Sequence, residues 1–322
     1  MKLHFAKLFT YLFTLWLTVT LNFLVPRLLP GDPILSLIDA SDGASYDEAV
    51  RKQLESYHGL DQPLGVQYVH YWQNLLRGDL GDSISFRKPV SELVLARLPW
   101  TLGLVLPSLV ISSLIGLVAG THAGWRRGSS VDRSLTVILI SLWNLPAFFI
   151  GFVLIMLFGV YLQWLPLSGA VTRFAQFDSI GAQVLDMFKH WLLPAATLII
   201  STIGGRFLLM RNSMSVVLGQ EYVLAARAKG VTENNVKYRH AMRNALLPFF
   251  TAFSTQVGLA VTGATIIESL FVYPGMGLLL LEAVNTRDYP LVQGAFLVIS
   301  VTVLTVNLIA EQVMVKIDPR IA

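Results

Sequence analysis

Apolar residues fill six long stretches of the chain, at about 8–29, 99–123, 134–160, 191–210, 248–272 and 290–312, and polar residues crowd into the segments between them. A bilayer core of ~30 Å is crossed by a helix of about 20 apolar residues. Each stretch therefore predicts a membrane-crossing helix, and the expected fold class is an all-α integral membrane protein with six transmembrane helices. Lys2 and Lys7 precede the first stretch, as they would in a secretory signal. Its apolar run is too long for one, however, and Arg27-Leu28-Leu29-Pro30-Gly31-Asp32-Pro33 follows without a small-residue cleavage site, so an uncleaved anchor is expected.

The segments between the stretches set an orientation. With both termini cytoplasmic, the inner segments are the N-terminus, the loop near 124–133, the loop near 206–247 and the tail. They hold 14 of the 24 Lys and Arg residues but 5 of the 20 Asp and Glu residues. That basic bias is the positive-inside signature. The long segment at about 30–98 then lies outside. Within it, Ser45 followed by Asp47 and Glu48 predicts a capped helix ending near Gly59, and Val66 to Leu76 predicts an amphipathic helix closed by Arg77-Gly78. Two short helices bury little core alone, so this segment reads as a lid on a single membrane domain covering 1–322.

Composition agrees: 54% of the 322 residues are hydrophobic and 14% are charged, about half the charge of a soluble domain. There is no cysteine, which removes disulfides, thiolate metal sites and cysteine nucleophiles. The mild net charge of +4 does not point to nucleic acid. Gly116, Gly120 and Gly124 recur every fourth residue, a spacing that lets another helix approach closely. Tight packing inside one subunit is the expected use, with a subunit interface as the other. Pro107, Pro146 and Pro194 are candidate kinks.

The inner loop at about 212–247 carries the strongest local signal. Glu221 opens a short helix, where its charge suits the positive dipole end. Ala225, Ala226 and Ala228 are small, strong helix formers. Gly230 can take the left-handed conformation that ends a helix. Thr232 is then expected to cap a second helix running through Lys237, Arg239, His240 and Arg243 to Pro248. A rigid knob of small residues suits insertion into a partner's groove, and a basic hairpin equally suits anionic lipid headgroups. Composition leaves the two open.

The stretch from Glu221 to Gly230 resembles the EAA loop of ABC importer permeases. The generic pattern has glutamate directly before the two alanines, where this chain has Leu224, and a proline closer to the glycine than Pro248. Both departures are those of the dipeptide, oligopeptide and nickel branch. Gly59-Leu60-Asp61-Gln62-Pro63-Leu64, Gly78-Asp79-Leu80-Gly81, Arg97-Leu98-Pro99, Trp164-Leu165-Pro166-Leu167-Ser168-Gly169, Glu268 with Phe271 and Pro274-Gly275-Met276-Gly277, and Asp318-Pro319-Arg320 are similar to that branch too, as is Arg27 to Pro33. The long segment after the first helix resembles its B-type member.

The resemblance implies a permease subunit in a bacterial or archaeal cytoplasmic membrane. Its implied partners are a second homologous (C-type) permease, two ATP-binding subunits, an extracytoplasmic substrate-binding protein and membrane lipid. The solute is a di- or oligopeptide, with a nickel or other metal chelate or an oligosaccharide as alternatives. Glu221, Ala225, Ala226, Arg227 and Gly230 would then couple the ATPases to the membrane helices. This chain is expected to hold no cofactor and to catalyse nothing; ATP and Mg belong to the ATPase subunits, and no GxxxxGK[ST] phosphate loop is present. Glu268, Pro274 and Gly275 are candidates for an outer gate or a binding-protein contact, against a carboxylate that merely stabilises its turn. Asn144, Gln256 and Thr262, with Ser141, Thr202 and Thr265, are candidates for the path lining, against helix–helix hydrogen bonds. An ion-coupled carrier would need ionisable residues at mid-depth, where the apolar stretches have almost none. The six histidines show no metal-ligand spacing.

Overall fold

The computed structural model describes residues 2–28 and 62–317. In chain order the helices are α1 (Lys2–Leu28), α2 (Leu64–Leu76), α3 (Val90–Trp125), α4 (Ser130–Trp143), α5 (Ala147–Tyr161, its second half π-helical), α6 (Ile180–Leu218), α7 (Glu221–Ala228), α8 (Arg243–Leu270), α9 (Met276–Asn285) and α10 (Tyr289–Ile317). Among the described residues there is no strand, only an isolated bridge between Asp82 and Pro89. The helix expected from Ser45 lies outside the described residues. Among the described residues three helices are long and apolar enough to cross a bilayer: α3, α6 and the Tyr289–Ala310 part of α10.

The stretch at 134–160 departs from expectation. It is two helices, α4 and α5, meeting at 97°. The cause is Pro146, which lacks an N–H and disfavours helical backbone at Leu145; it occupies the N-cap position of α5. Helices also outrun their apolar stretches. The 191–210 stretch belongs to the 39-residue α6, because Asp186, Lys189 and Arg211 interrupt the apolar run without interrupting the helix. Ser179 caps its start, accepting from the Ala182 N–H at 3.2 Å.

The chain divides into two compact units, residues 1–100 with 275–304 and residues 101–274 with 305–322. In the first, α2 rests on α1. The Thr20 and Tyr68 hydroxyls lie 2.7 Å apart, and Phe23 sits between the rings of Tyr68 and Tyr71. Asn22 and Gln293 tie α1 to α10 by donating to each other's backbone carbonyls, at 2.8 and 3.2 Å. Asp288 is fully buried; it accepts from the Leu291 N–H at 3.1 Å, capping α10, and from the Ser83 hydroxyl (2.5 Å) and the Ser85 N–H (2.9 Å).

The second unit is built around α6, which packs on α4, α5 and α8. The glycines of α3 face it. A Cβ on Gly116, Gly120 or Gly124 would stand 2.7, 2.7 or 2.6 Å from the Cβ of Arg206, Met210 or Met214. The four-residue repeat is thus spent on close packing inside this chain. Arg206, expected at the edge of the inner loop, is inside α6 and 4% exposed; its Nε donates to the Ser113 hydroxyl at 2.7 Å and its Nη1 to the Thr202 carbonyl at 3.0 Å. Its aliphatic stem follows the glycine face, which places the charge inside rather than in the loop. Arg211 grips buried Asp132 with two bonds of 2.5 and 2.8 Å, and the Gly128 N–H adds a third at 2.8 Å. The bidentate geometry locks the α3–α4 loop to α6.

Candidate functional site

The site is assembled around α7. Gly219 ends α6, Gln220 is extended, and α7 begins at Glu221. Val223 and Ala226, three residues apart on one face, are buried. They form a cluster with Val236, against which Trp125, Val217, Leu218 and Val231 pack. The opposite face, with Tyr222, Leu224, Ala225 and Ala228, is exposed; Leu224 is 57% exposed. A short helix thus docks through two small apolar side chains and presents the rest outward.

The bend after α7 is a Schellman motif. The Val231 N–H bonds the Ala226 carbonyl at 3.2 Å and the Gly230 N–H bonds the Arg227 carbonyl at 2.9 Å, with Gly230 at φ +74°. Nothing would obstruct a Cβ there, so backbone conformation alone demands glycine. Arg227 braces the bend. Its guanidinium lies 5.3 Å from the Trp125 ring and pairs with Glu233 at 3.1 and 3.2 Å. Both partners are largely exposed, so the pair contributes at most about 1 kcal/mol and the cation–π contact about 0.5–1 kcal/mol.

Thr232 makes no side-chain cap, contrary to expectation; the following backbone is a single turn (Glu233–Asn235) and a π-helical segment (Val236–Met242) leading into α8. Thr232 contributes its carbonyl, which accepts from the Val236 N–H at 2.9 Å. The π-helical segment brings Ala241, with Ala245 and Phe249, against Met210 and Met214 of α6. Trp125 and Leu218 pack against both this cluster and the one beneath α7. Displacing α7 therefore loads the ends of α3, α6 and α8 together.

Of the five residues expected to couple, the structure brings all into one hairpin but gives them different tasks. Glu221 and Ala225 face outward, Ala226 anchors, Arg227 braces and Gly230 turns. Tyr222, on the outward face, and Trp125, beneath the helix, join the site without a sequence signal of their own, and Leu224 stands out along the chain only as the departure from the generic loop pattern. The three-residue spacing of Val223 and Ala226 is the signal that would have assigned the faces.

Glu268 is fully buried and accepts from the Thr101 hydroxyl at 2.7 Å. Its side chain is turned inward and holds α8 to α3 rather than reaching the surface. The Tyr273 N–H bonds the Glu268 carbonyl at 2.8 Å. Burial and then the Glu268 charge push the Tyr273 phenol up to about 12. Pro274 is half-buried and Gly275 buried. Asn144 is exposed at the α4–α5 break, its amide donating to the Ile140 carbonyl at 2.8 Å, and Ser141 is exposed one turn earlier. Thr202 donates to the Leu198 carbonyl at 2.6 Å. Gln256 and Thr262 lie on α8, with side chains outside those described.

The family model described as "Binding-protein-dependent transport system inner membrane component" matches residues 112–322. A putative peptide permease protein of Brucella suis biovar 1 is 40% identical over 304 residues, covering 94% of this chain and 92% of that protein. An oligopeptide transport system permease protein of Bacillus subtilis is 36% identical over 303 residues, covering 94% and 93%. A glutathione transport system permease protein of Escherichia coli O6:H1 is 36% identical over 310 residues, covering 96% and 94%.

Proposed function

Since the chain belongs to the family of inner-membrane components of binding-protein-dependent transport systems, we propose that it is the permease subunit through which an ABC importer of peptides receives the work of ATP hydrolysis at α7. The peptide class rests on relatives whose names specify peptide, oligopeptide and glutathione transport. The outward face of α7 carries the coupling role: a short helix of small side chains, Leu224 at its crest, seated on a cluster shared by three helix ends. Two ATP-binding subunits, holding ATP and Mg, dock there; a homologous second permease completes the path and a substrate-binding protein delivers the solute.

In this reading six helices cross the membrane with both termini cytoplasmic. The basic bias of the inner segments supports that orientation. Non-helical backbone at membrane depth is tolerated where it is buried in protein or lines a wet cavity. The α4–α5 break with exposed Asn144 and Ser141 fits the second case, and with Gln256 and Thr262 it is assigned to the path. Ala225→Arg places bulk and charge on the outward face without touching the Val223–Ala226 core. It should cut peptide uptake by whole cells at least ~10-fold, equivalent to about 1.4 kcal/mol of lost coupling, while thermal stability stays unchanged. Normal uptake by Ala225→Arg would remove α7 from the mechanism.

A further inference from the structure

A groove of about 540 Å³ lies between α1 and α10 and is roofed by the end of α9. Its size is that of a small-ligand site, about 300–1,000 Å³. The walls are apolar for most of their length: Leu21 of α1, and Val292 and Phe296 one turn apart on α10, with Thr18 and Ser300 at the far end. Asn22 and Gln293 also line it, but their amides are already bonded to each other's carbonyls. From Val292 to Ser300 the groove runs about 12 Å along the helix, close to the ~15 Å hydrocarbon depth of one leaflet.

Arg287 stands at one end and is exposed, and no carboxylate pairs with it among the described residues. Its backbone is left-handed, φ +54°, at the position where a helix end usually carries glycine. An arginine there strains the backbone, and among the described residues its side chain makes no hydrogen bond or ion pair. An exposed cation beside an apolar trough one leaflet deep matches the chemistry of a phosphate on an acyl chain. We propose that this groove seats one phospholipid, its phosphate on Arg287 and an acyl chain along Leu21, Val292 and Phe296. The proposal needs only residence in the membrane and is independent of the coupling role of α7.

The test is native mass spectrometry and lipid extraction on the full importer complex, purified and washed in detergent. The wild type should retain one phospholipid on this subunit. Retention should fall at least tenfold in Arg287→Glu and in Arg287→Gly, and persist in Arg287→Lys. Arg287→Gly relieves the left-handed strain, so its thermal midpoint should equal or exceed that of the wild type while lipid is lost. Ser300→Trp, which fills the far end, should lose lipid with Arg287 intact. No retained lipid on the wild type, or equal retention in Arg287→Glu, overturns the proposal. Loss in Arg287→Glu with full retention in Ser300→Trp overturns the groove as the seat of the chain.

Discussion

The turns that close α7 and α9 share one backbone device and differ in what holds it. Both are Schellman motifs. After α7 the left-handed residue is Gly230; after α9 it is Arg287, where the Asp288 N–H bonds the Ala283 carbonyl at 2.9 Å and the Arg287 N–H bonds that of Val284 at 3.2 Å. The turn after α8 repeats the pattern with Val272 at φ +49°. Glycine adopts this conformation freely, whereas other residues strain by about 1–2 kcal/mol. The α9 turn tolerates that strain because the next residue, Asp288, is buried and bonded to Ser83, Ser85 and Leu291. The α7 turn has no such tether: its carboxylate, Glu233, is exposed. The exposed turn after α7 is shaped by its own backbone; the turn after α9 is forced by distant side chains.

Three substitutions break or sharpen that contrast. The largest effect belongs to Asp288→Ala, which removes an N-cap, worth about 1 kcal/mol, and leaves the buried Ser83 hydroxyl without its charged acceptor, about 1.5–3 kcal/mol. We expect a loss of about 3 kcal/mol in denaturant or thermal unfolding, and a smaller loss for Asp288→Asn, whose amide keeps only one of the two acceptor oxygens that Leu291, Ser83 and Ser85 use. Gly230→Ala comes next. The left-handed strain of about 1–2 kcal/mol is partly offset by the smaller entropy that alanine loses on folding, about 0.5–1 kcal/mol. The net loss of about 1 kcal/mol should appear as faster proteolysis of the hairpin, with the rest of the chain unaffected. The smallest effect has the opposite sign. Val272 is 45% exposed, so Val272→Gly relieves strain at little packing cost and should raise stability by about 0.5 kcal/mol. A loss there would show that the Val272 side chain is itself an anchor.

Much of this arrangement was legible along the chain. Turn chemistry is local, so Glu221 to Gly230 announced a helix and its left-handed end, and the spacing of Gly116, Gly120 and Gly124 announced a close helix contact, found against α6. The Leu64–Leu76 helix matched its amphipathic pattern. What failed depended on partners far away. Pro146 was a candidate kink, but a 97° break needs neighbours that accept the freed backbone. Thr232 carried the right residue type for a cap, yet the π-helical segment that seats Ala241 on Met210 and Met214 won.

The sequence by itself determined the membrane class, the family and the position of the short helix α7, because apolar run length and backbone conformation are properties of neighbouring residues. Only the tertiary structure decided the rest: which face of α7 is buried and which is exposed, that Arg206 is buried on Ser113, and that Glu268 and Asp288 are spent on Thr101 and Ser83. A charged side chain carries no mark of its partner when that partner lies some 90 to 200 positions away; burial selects it once the helices have packed.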